Sequence, residues 1–296
     1  MTSRATRVVC VVVTRDRVAT LRRCLAALAA QSRRPDHVVV VDNGPDDATL
    51  TTLVESGLPH TYLPSHTNLG GAGGFAYGIL TARALGTDWV WLADDDGRPA
   101  ETSTLATLLD AARRYELAMA SPLVVDQDDP GRLAFPLRRR LRWAHRVEDL
   151  GGRPLVAGVA NLFNGALFSA AALDAVGVPD PRLFIRGDEV EVHRRLARSG
   201  LRFGTCTDAR YLHPSGTPDV ETVLAGRLPV YVPVDRSRRD RAFRNLGYLT
   251  SQPGLRWRRW PDEARYAWYF LVRRRDVDGW RQWLARSAEG RRERFS

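Results

Sequence analysis

Short apolar runs alternate with segments of helical spacing through the first hundred residues, and this alternation limits the possible folds more than any other feature of the sequence. The run Val8–Val13 is apolar at every position. Such runs are typical of strands that are buried on both faces of a parallel sheet. A predicted helix follows at Thr20–Gln31, and the alternation continues to a strand at Trp89–Ala93. The order of elements predicts an α/β fold with a doubly wound, mostly parallel sheet.

The other elements predicted for this region follow the same order. They are strands at Val38–Val41 and Thr61–Leu63, helices at Ala48–Ser56 and Phe75–Leu85, and a glycine-rich loop at Asn68–Gly74. Two later helices are predicted at Thr104–Arg114 and Asp188–Ser199. In doubly wound sheets the functional groups lie beyond the carboxyl ends of the strands, which is where Asp42 and Asp94–Asp96 are expected.

The composition changes near the end of the chain. The chain has 296 residues, close to the upper limit for one hydrophobic core, and a net charge of +10. From Gly254 to Ser296 there are 12 arginines against six acidic residues, and five of the eight tryptophans. We predict a main α/β domain at residues 1–218 and a helical, basic C-terminal appendage at residues 219–296.

Two interpretations of this appendage remain open. Trp and Tyr interleaved with Arg suit the headgroup region of a membrane, where each Arg contributes about 1 kcal/mol near an anionic surface. Alternatively, the segment is a helical cap that packs on the main domain. No nucleic-acid recognition module is present in the sequence, so DNA and RNA are not expected as partners.

The cysteines and the hydropathy of the chain bear on its location. Cys10, Cys24 and Cys206 are scattered and form no CxxC pair, which argues against a disulfide framework and a zinc module. A reducing, intracellular compartment is therefore expected. No apolar run approaches the roughly 18 residues that cross a bilayer, and the N-terminal apolar stretch is too short for a signal peptide. With the basic appendage, this predicts a cytoplasmic protein, peripheral on the inner face of the plasma membrane.

Three consecutive carboxylates, Asp94–Asp96, follow the apolar strand. In extended backbone Asp94 and Asp96 point to the same side, where they can share a divalent ion such as Mn²⁺ or Mg²⁺, whereas Asp95 points away. The alternative is a solvated acidic turn. His213, whose neutral imidazole can ligate a metal, is a candidate third ligand, although a lone His is more often structural.

A second acidic group, Asp188 and Glu189, lies at the start of a predicted helix. Negative charge is favoured there by the helix dipole, so a capping role explains it. The functional interpretation is a general base that the fold brings close to the metal carboxylates.

One nucleotide-binding motif is excluded by its chemistry, and a second is disfavoured by its position in the chain. A P-loop needs a lysine, and the chain has none. A dinucleotide fingerprint belongs at the first strand-to-helix turn, whereas Gly70–Gly74 follows the third predicted strand. This segment is therefore predicted to be a loop whose backbone approaches a nucleotide or a sugar, with a plain flexible loop as the alternative.

Four segments, in this order, resemble those of the family 2 inverting glycosyltransferases of the GT-A fold, over roughly Arg7 to Pro218. They are the first strand and nucleotide-contacting turn at Val11–Arg17, the uracil-side carboxylate segment at Val40–Gly44, the donor loop at Asn68–Gly74, and the Asp-x-Asp metal motif at Asp94–Asp96. The donor-binding residues that the resemblance implies are Thr14, Arg15, Asp16, Asp42, Asn68, Gly70, Gly71, Gly73 and Asp95.

Within that family, the triple Asp, the Gly-Gly-Ala-Gly-Gly-Phe segment and Phe184–Glu191 are most similar to actinobacterial galactofuranosyltransferases. The chain length favours those that initiate the cell-wall galactan of arabinogalactan. The resemblance implies transfer of galactofuranose from UDP-galactofuranose to a rhamnosyl-N-acetylglucosaminyl-diphospho-polyprenol, by a metal-dependent enzyme at a membrane surface. The absence of a QxxRW motif argues against a processive, cellulose-synthase-like enzyme.

The resemblance also implies roles for individual residues. Asp94, Asp96 and His213 would hold the metal, and Glu189, with Asp188 beside it, would supply the base. Asn164 and Gly165 are candidate acceptor-binding residues. In the C-terminal appendage, the segment Arg241–Asn245, with Arg244, is a candidate for binding the diphosphate of the acceptor. Two departures from the family pattern are the order of the acidic pair, Asp before Glu, and the lack of an aromatic acceptor platform before Phe163. The alternatives are a rhamnosyltransferase that uses dTDP-rhamnose on a lipid-linked acceptor, and a silent module that binds a nucleotide sugar.

Overall fold

A computed structural model of the chain describes residues 5–139, 142–215, 219–223 and 228–295. By spatial contacts these residues form two compact units. Residues 5–181 and 195–215 make the first, and residues 182–194 with the described residues from 219 onward make the second. This division groups the segment 182–194 with the C-terminal residues, whereas the predicted domains have one boundary at residue 218. That boundary stays a prediction.

The first unit is built on a mixed, mostly parallel sheet in the order β3-β2-β1-β4-β10-β6-β11-β5, with β7, β8 and β9 attached at its side. Parallel pairs join β1 to β2 and β4, β2 to β3, and β6 to β11. The strands of this sheet are β1 (Val8–Thr14), β2 (His37–Asp42), β3 (His60–Pro64), β4 (Trp89–Asp94), β5 (Arg98–Pro99), β6 (Met119–Asp126), β7 (Arg132–Arg139), β8 (Arg142–Arg146), β9 (Leu155–Ala157), β10 (Leu167–Ser169) and β11 (Phe203–His213).

The register of the parallel strands brings the predicted site residues to one edge. Thr14 of β1 lies opposite Asp42 of β2, and Val13 lies opposite Asp94 of β4. Every residue of β1 is buried, which explains its unbroken apolar sequence. The carboxyl ends of these three strands therefore meet, as the α/β pattern predicted.

Helices α1 to α5 lie in the first unit, with the sheet, and helices α7 to α9 form most of the C-terminal unit. On α1, Leu21, Cys24, Leu25 and Leu28 are buried at helical spacing. All three cysteines are buried free thiols. The helices are α1 (Val18–Ala29), α2 (Asp47–Glu55), α3 (Gly70–Ala84), α4 (Thr104–Arg114), α5 (Ala170–Val176), α6 (Asp188–Arg198), α7 (Arg236–Ser251), α8 (Arg259–Ala267) and α9 (Val277–Arg291).

The glycine-rich segment differs from its prediction. Gly70–Gly74, predicted as a loop, forms the beginning of α3. A Cβ atom on Gly74 would lie 2.7 Å from Cγ1 of Val13, and one on Gly78 would meet Val11 more closely still. The glycines, four residues apart, let the helix lie directly against β1. The loop prediction was wrong because the lack of a side chain serves packing here rather than chain flexibility.

The C-terminal unit has its own apolar core. Phe243 of α7 packs against Tyr266 of α8 and against Phe270, with ring centroids 5.6 and 6.0 Å apart. The unit is helical as predicted, and it adds a short antiparallel pair of strands, β12 (Val220–Val223) and β13 (Leu228–Tyr231). After α8 the chain continues as a π-helix over Trp268–Arg274. Across the described ranges, no helix is both long and apolar enough to cross a membrane.

Candidate active site

The ends of β4 and β11 bring together two carboxylates and an imidazole. Asp94, Asp96 and His213 each offer a ligand atom, and these atoms all lie within 4.8 Å of one another. Nε2 of His213 lies 3.1 Å from Oδ1 of Asp96, and its Nδ1 lies 2.6 Å from the carbonyl oxygen of Pro214. Burial alone would lower the pKa of His213, but the hydrogen bond to Asp96 raises it overall. Two carboxylate oxygens and one oriented imidazole nitrogen are a donor set that suits a divalent metal ion.

The middle carboxylate of the triple Asp faces other partners. Asp95 is buried, and it accepts a hydrogen bond of 2.7 Å from the hydroxyl of Thr14. Nη1 of Arg17 donates to Asp95 at 3.3 Å and to Asp96 at 2.8 Å. Burial raises the pKa of Asp95, although Thr14 and Arg17 act to lower it. Sequence reasoning included Arg17 in the nucleotide-contacting turn, Val11–Arg17, but missed its contacts with Asp95 and Asp96, which depend on β1 and β4 being neighbours.

The end of β2 is fixed by side-chain hydrogen bonds. Asp42 is fully buried and accepts from the hydroxyl of Tyr62 at 2.9 Å and from the backbone N–H of Gly44 at 3.0 Å. Asn43, another residue that sequence reasoning did not select, donates to the carbonyl of Gly70 and accepts from the N–H of Leu69, each at 3.1 Å. These bonds tie the strand end that carries Asp42 to the start of α3.

The remaining predicted donor residues surround these two elements. Arg15 and Asp16 are exposed and form an ion pair of 3.3 Å, with Asp16 in the left-handed region at φ 54°. Asn68 accepts from the N–H of Gly70 at 2.9 Å. Since Gly70, Gly71 and Gly73 form the first turn of α3, they lie where a helix terminus favours an anion.

Asn164 and Gly165 have different surroundings. The N–H of Gly165 donates to the carbonyl of Leu92, and its own carbonyl accepts from the indole of Trp91, each at 2.8 Å. A Cβ on Gly165 would lie 2.5 Å from the ring of Tyr211, so this position requires glycine. The Asn164 amide donates to Asn161, while its Oδ1 is buried and has no hydrogen-bond partner among the described residues.

The acidic pair Asp188 and Glu189 begins α6 and belongs to the C-terminal unit. Asp188 is buried, and burial raises its pKa to about 6 despite hydrogen bonds from its own N–H and that of Glu189. The carboxylate of Glu189 is only partly buried. A carboxylate whose pKa lies near neutrality is suited to accept a proton.

The segment that precedes the acidic pair is held by α7. Nδ2 of Asn245, which is 1% exposed, donates to the carbonyls of Leu183 at 2.6 Å, Ile185 at 3.1 Å and Arg186 at 2.8 Å. Phe184 and Arg186 have positive φ angles of 61° and 66°, which are unfavourable for residues with side chains. Asn245 thus stabilises a strained segment that leads into Asp188, a role that sequence reasoning missed.

Comparisons with known proteins give the family and the fold of the chain. The profile of the family described as "Glycosyl transferase family 2" matches residues 9–170. Galactofuranosyltransferase GlfT1 of Mycolicibacterium smegmatis is 54% identical over 298 residues, covering 98% of both chains. N-acetylglucosaminyl-diphospho-decaprenol L-rhamnosyltransferase of Mycobacterium tuberculosis is 28% identical over 230 residues, covering 65% of this chain and 71% of that one. Among solved structures, S. aureus TarS 1-349 in complex with UDP-GlcNAc is similar in fold. Its TM-score is 0.62 at 14% identity, covering 98% of this chain and 83% of that one.

Proposed function

Because the chain belongs to glycosyl transferase family 2 and has the GT-A fold, we propose that it is an inverting galactofuranosyltransferase. It moves galactofuranose from UDP-galactofuranose to a rhamnosyl-N-acetylglucosaminyl-diphospho-polyprenol and so initiates the cell-wall galactan. The observation that carries this proposal is the 54% identity, over nearly the full chain, to an enzyme named as a galactofuranosyltransferase.

The donor is proposed to bind at the carboxyl ends of β1, β2 and β4. Thr14, Arg15 and Asp16 are assigned to the nucleoside, and Asp95 to the same side. The carboxylate of Asp42 is fully buried and accepts from Tyr62 and Gly44, so Asp42 is assigned to fixing the strand end beside Thr14. The first turn of α3, with Asn68, Gly70, Gly71 and Gly73, is assigned to the donor's charged and sugar groups. The register that aligns Thr14 with Asp42 supports this assignment, as does the preference of anions for helix N-termini.

Asp94, Asp96 and His213 are proposed to hold a divalent ion, Mn²⁺ or Mg²⁺. Their three ligand atoms are close enough to bind one ion, and their chemistry fits it. When bound, such an ion neutralises negative charge on the departing diphosphate.

The chemical step is proposed to be a single in-line displacement at the anomeric carbon. A carboxylate of the acidic pair removes the proton from the acceptor hydroxyl as the new bond forms. We assign this role to Glu189, whose side chain is accessible, with Asp188 as the alternative because burial raises its pKa to about 6. Asn164 and Gly165 are assigned to the acceptor side of the site, supported by the hydrogen bonds that join Gly165 to Trp91 and Leu92 of β4.

Membrane association is proposed for α8, the short 3-10 helix Arg256–Arg258 before it and the π-helix after it. Trp257 and Trp260 are 63% and 69% exposed, and Arg258 and Arg259 lie between them in sequence. Other exposed apolar side chains of this stretch are Trp268, Leu271 and Val272. Exposed tryptophans flanked by arginines fit the headgroup layer of an anionic, cytoplasmic membrane face.

Co-sedimentation with vesicles tests the membrane proposal. The double variant W260S/W268S is expected to lose binding to vesicles of phosphatidylglycerol, and W143S serves as control because Trp143 is also exposed but lies in the first unit. Equal binding by all three proteins would contradict the assignment.

A transfer assay tests the reaction itself. Purified protein is incubated with a synthetic rhamnosyl-N-acetylglucosaminyl-diphospho-lipid and Mn²⁺ or Mg²⁺, with either UDP-galactofuranose or dTDP-rhamnose as donor. Product from UDP-galactofuranose alone is expected. Product from dTDP-rhamnose alone would replace the proposal with rhamnosyl transfer, the activity named for the 28% identical relative. Donor binding without product on any acceptor would favour a silent nucleotide-sugar-binding module.

A further inference from the structure

A cleft of about 510 Å³ opens between α7 and α9 in the C-terminal unit. Arg236, Arg241 and Arg244 line it from α7, and Arg286 and Glu289 line it from α9. The volume lies in the range of roughly 300–1,000 Å³ that is usual for sites of small ligands. Its arginine-rich walls point to an anionic ligand.

The acidic side chains of the cleft do not neutralise all of its arginines. Arg286 pairs with Asp240 at 3.1 Å and with Glu289 at 3.0 Å, so two carboxylates surround one guanidinium. Asp235 caps α7 by accepting from the N–H of Arg238. Within the described part of the chain, no carboxylate lies within 4.0 Å of Arg236, Arg241 or Arg244.

Two of these arginines are held in place by contacts with aromatic rings. The guanidinium of Arg241 lies over the ring of Phe184, 4.4 Å from its centroid. That of Arg244 lies 4.9 Å from the centroid of Phe295. Its Nε and Nη2 donate to Oδ1 of Asn245 at 3.3 and 3.2 Å, and Nη2 also donates to the carbonyl of Arg182 at 3.2 Å, so Nη1 is the group of Arg244 that is left for a ligand. A stacked guanidinium keeps its planar set of donors oriented for the paired oxygens of a phosphate group.

Arg244 also shows that positive charge is in excess. It is nearly buried, and burial lowers its pKa; Arg241 and Arg286 act in the same direction, and Glu289 acts against them. A bound anion would remove this repulsion. The cleft has four arginines against the three carboxylates of Asp235, Asp240 and Glu289, so one positive charge is in excess. Because three of the arginines have no carboxylate within 4.0 Å among the described residues, a group with several negative oxygens can contact more of them than a single carboxylate can.

We propose that the cleft between α7 and α9 binds the diphosphate group of the lipid-linked acceptor, through Arg236, Arg241 and Arg244. This inference rests on the proposed function, because it takes the acceptor class from there. It assigns the acceptor's charged group to the C-terminal unit.

The chain connects this cleft directly to the acidic pair. Phe184, which stacks under Arg241, and Arg182, whose carbonyl binds Arg244, belong to the segment that continues into Asp188 and Glu189. An acceptor held by its diphosphate at the arginines is therefore recognised by the same unit that presents the candidate base.

The test compares R241Q with R238Q. Arg238 is exposed on the same helix but does not line the cleft, so its variant controls for loss of charge alone. Two soluble acceptors carry the same disaccharide, one on a short-chain diphospho-lipid and one on a neutral octyl group. Inorganic diphosphate is also titrated calorimetrically in EDTA, which gives a readout without turnover.

R241Q is expected to raise KM for the diphospho-acceptor by about 10–100-fold, the usual effect of losing one charged hydrogen bond. KM for the octyl acceptor and for the donor should stay unchanged, and calorimetric binding of diphosphate should weaken in R241Q but not in R238Q.

Three outcomes would overturn the inference. They are an equal rise of KM on both acceptors, unchanged diphosphate binding in R241Q, and loss of binding to anionic vesicles with a normal KM for the short-chain diphospho-acceptor. The last would assign the cleft to membrane headgroups. Failure of the wild-type protein to use either acceptor would instead refute the proposed function, and the titration would still decide whether the cleft binds diphosphate.

Discussion

Replacing Asp188 by Asn should make the protein more stable while impairing transfer. Asp188 is buried at the start of α6, and its pKa is raised to about 6 from an ordinary value near 3.9. The carboxylate is therefore harder to ionise in the folded chain than in the unfolded chain. A difference of about 2 pKa units corresponds to roughly 3 kcal/mol of folding free energy above pH 6.

The sign of this effect fixes its pH dependence. Below about pH 4 the carboxyl is protonated in both states, so D188N and the wild type should be about equally stable. Between pH 4 and 6 the wild type loses stability relative to the variant by about 1.4 kcal/mol per pH unit. Above pH 6 the advantage of D188N should level off near 3 kcal/mol.

Urea unfolding at pH 4.5, 6 and 7.5 measures this advantage as a difference in unfolding free energy. The control is E191Q, because Glu191 is equally buried on α6 but pairs with Arg194 at 3.0 Å, so its replacement should destabilise the chain. A gain in D188N that is absent at pH 7.5, or that is the same at all three pH values, would refute the reasoning.

Three further substitutions test the candidate site. E189Q should lower turnover about 10²–10⁴-fold with little change in donor KM, as measured by initial rates; near-wild-type turnover would transfer the role of base to Asp188. D96A should raise both the metal concentration needed for half-maximal rate and the KM for the donor, and unchanged values of both would remove Asp96 from the metal site. N245A should lower the free energy of unfolding, measured with urea, by about 2–3 kcal/mol, because it leaves three backbone carbonyls without their donor. A loss below about 0.5 kcal/mol would show that the segment before Asp188 keeps its conformation without Asn245.

The place of Asp94 and Asp96 at the edge of the sheet could be predicted because it follows from local sequence. An apolar strand that ends in Asp94–Asp96 predicts carboxylates at the carboxyl edge of a parallel sheet, whatever the rest of the chain does. The use of the glycines in α3 could not be predicted in this way. Their closeness to Val11 and Val13 depends on how a helix packs on a strand some sixty residues earlier in the chain.

Long-range contacts also explain what was missed in the C-terminal unit. The sequence identified Asp188 and Glu189 as a candidate pair but gave no reason to join the segment 182–194 to residues beyond 219. That association depends on Asn245, whose hydrogen-bond partners lie 59 to 62 residues earlier in the chain. Likewise, the contacts of Arg17 with Asp95 and Asp96 are identified only when β1 and β4 are seen to be neighbours.

Because Asn245 binds the segment before Asp188 from a later part of the chain, the parts of the candidate site form in a fixed order during synthesis. The ribosome adds roughly 5–20 residues per second, so several seconds separate Leu183 from the residue that binds its carbonyl. Asp94 and Asp96 are made before that interval, and Asp188, Glu189 and His213 are added in its first half. The support for the acidic pair arrives only with α7, so a nascent chain acquires the proposed metal ligands before its acidic pair is positioned.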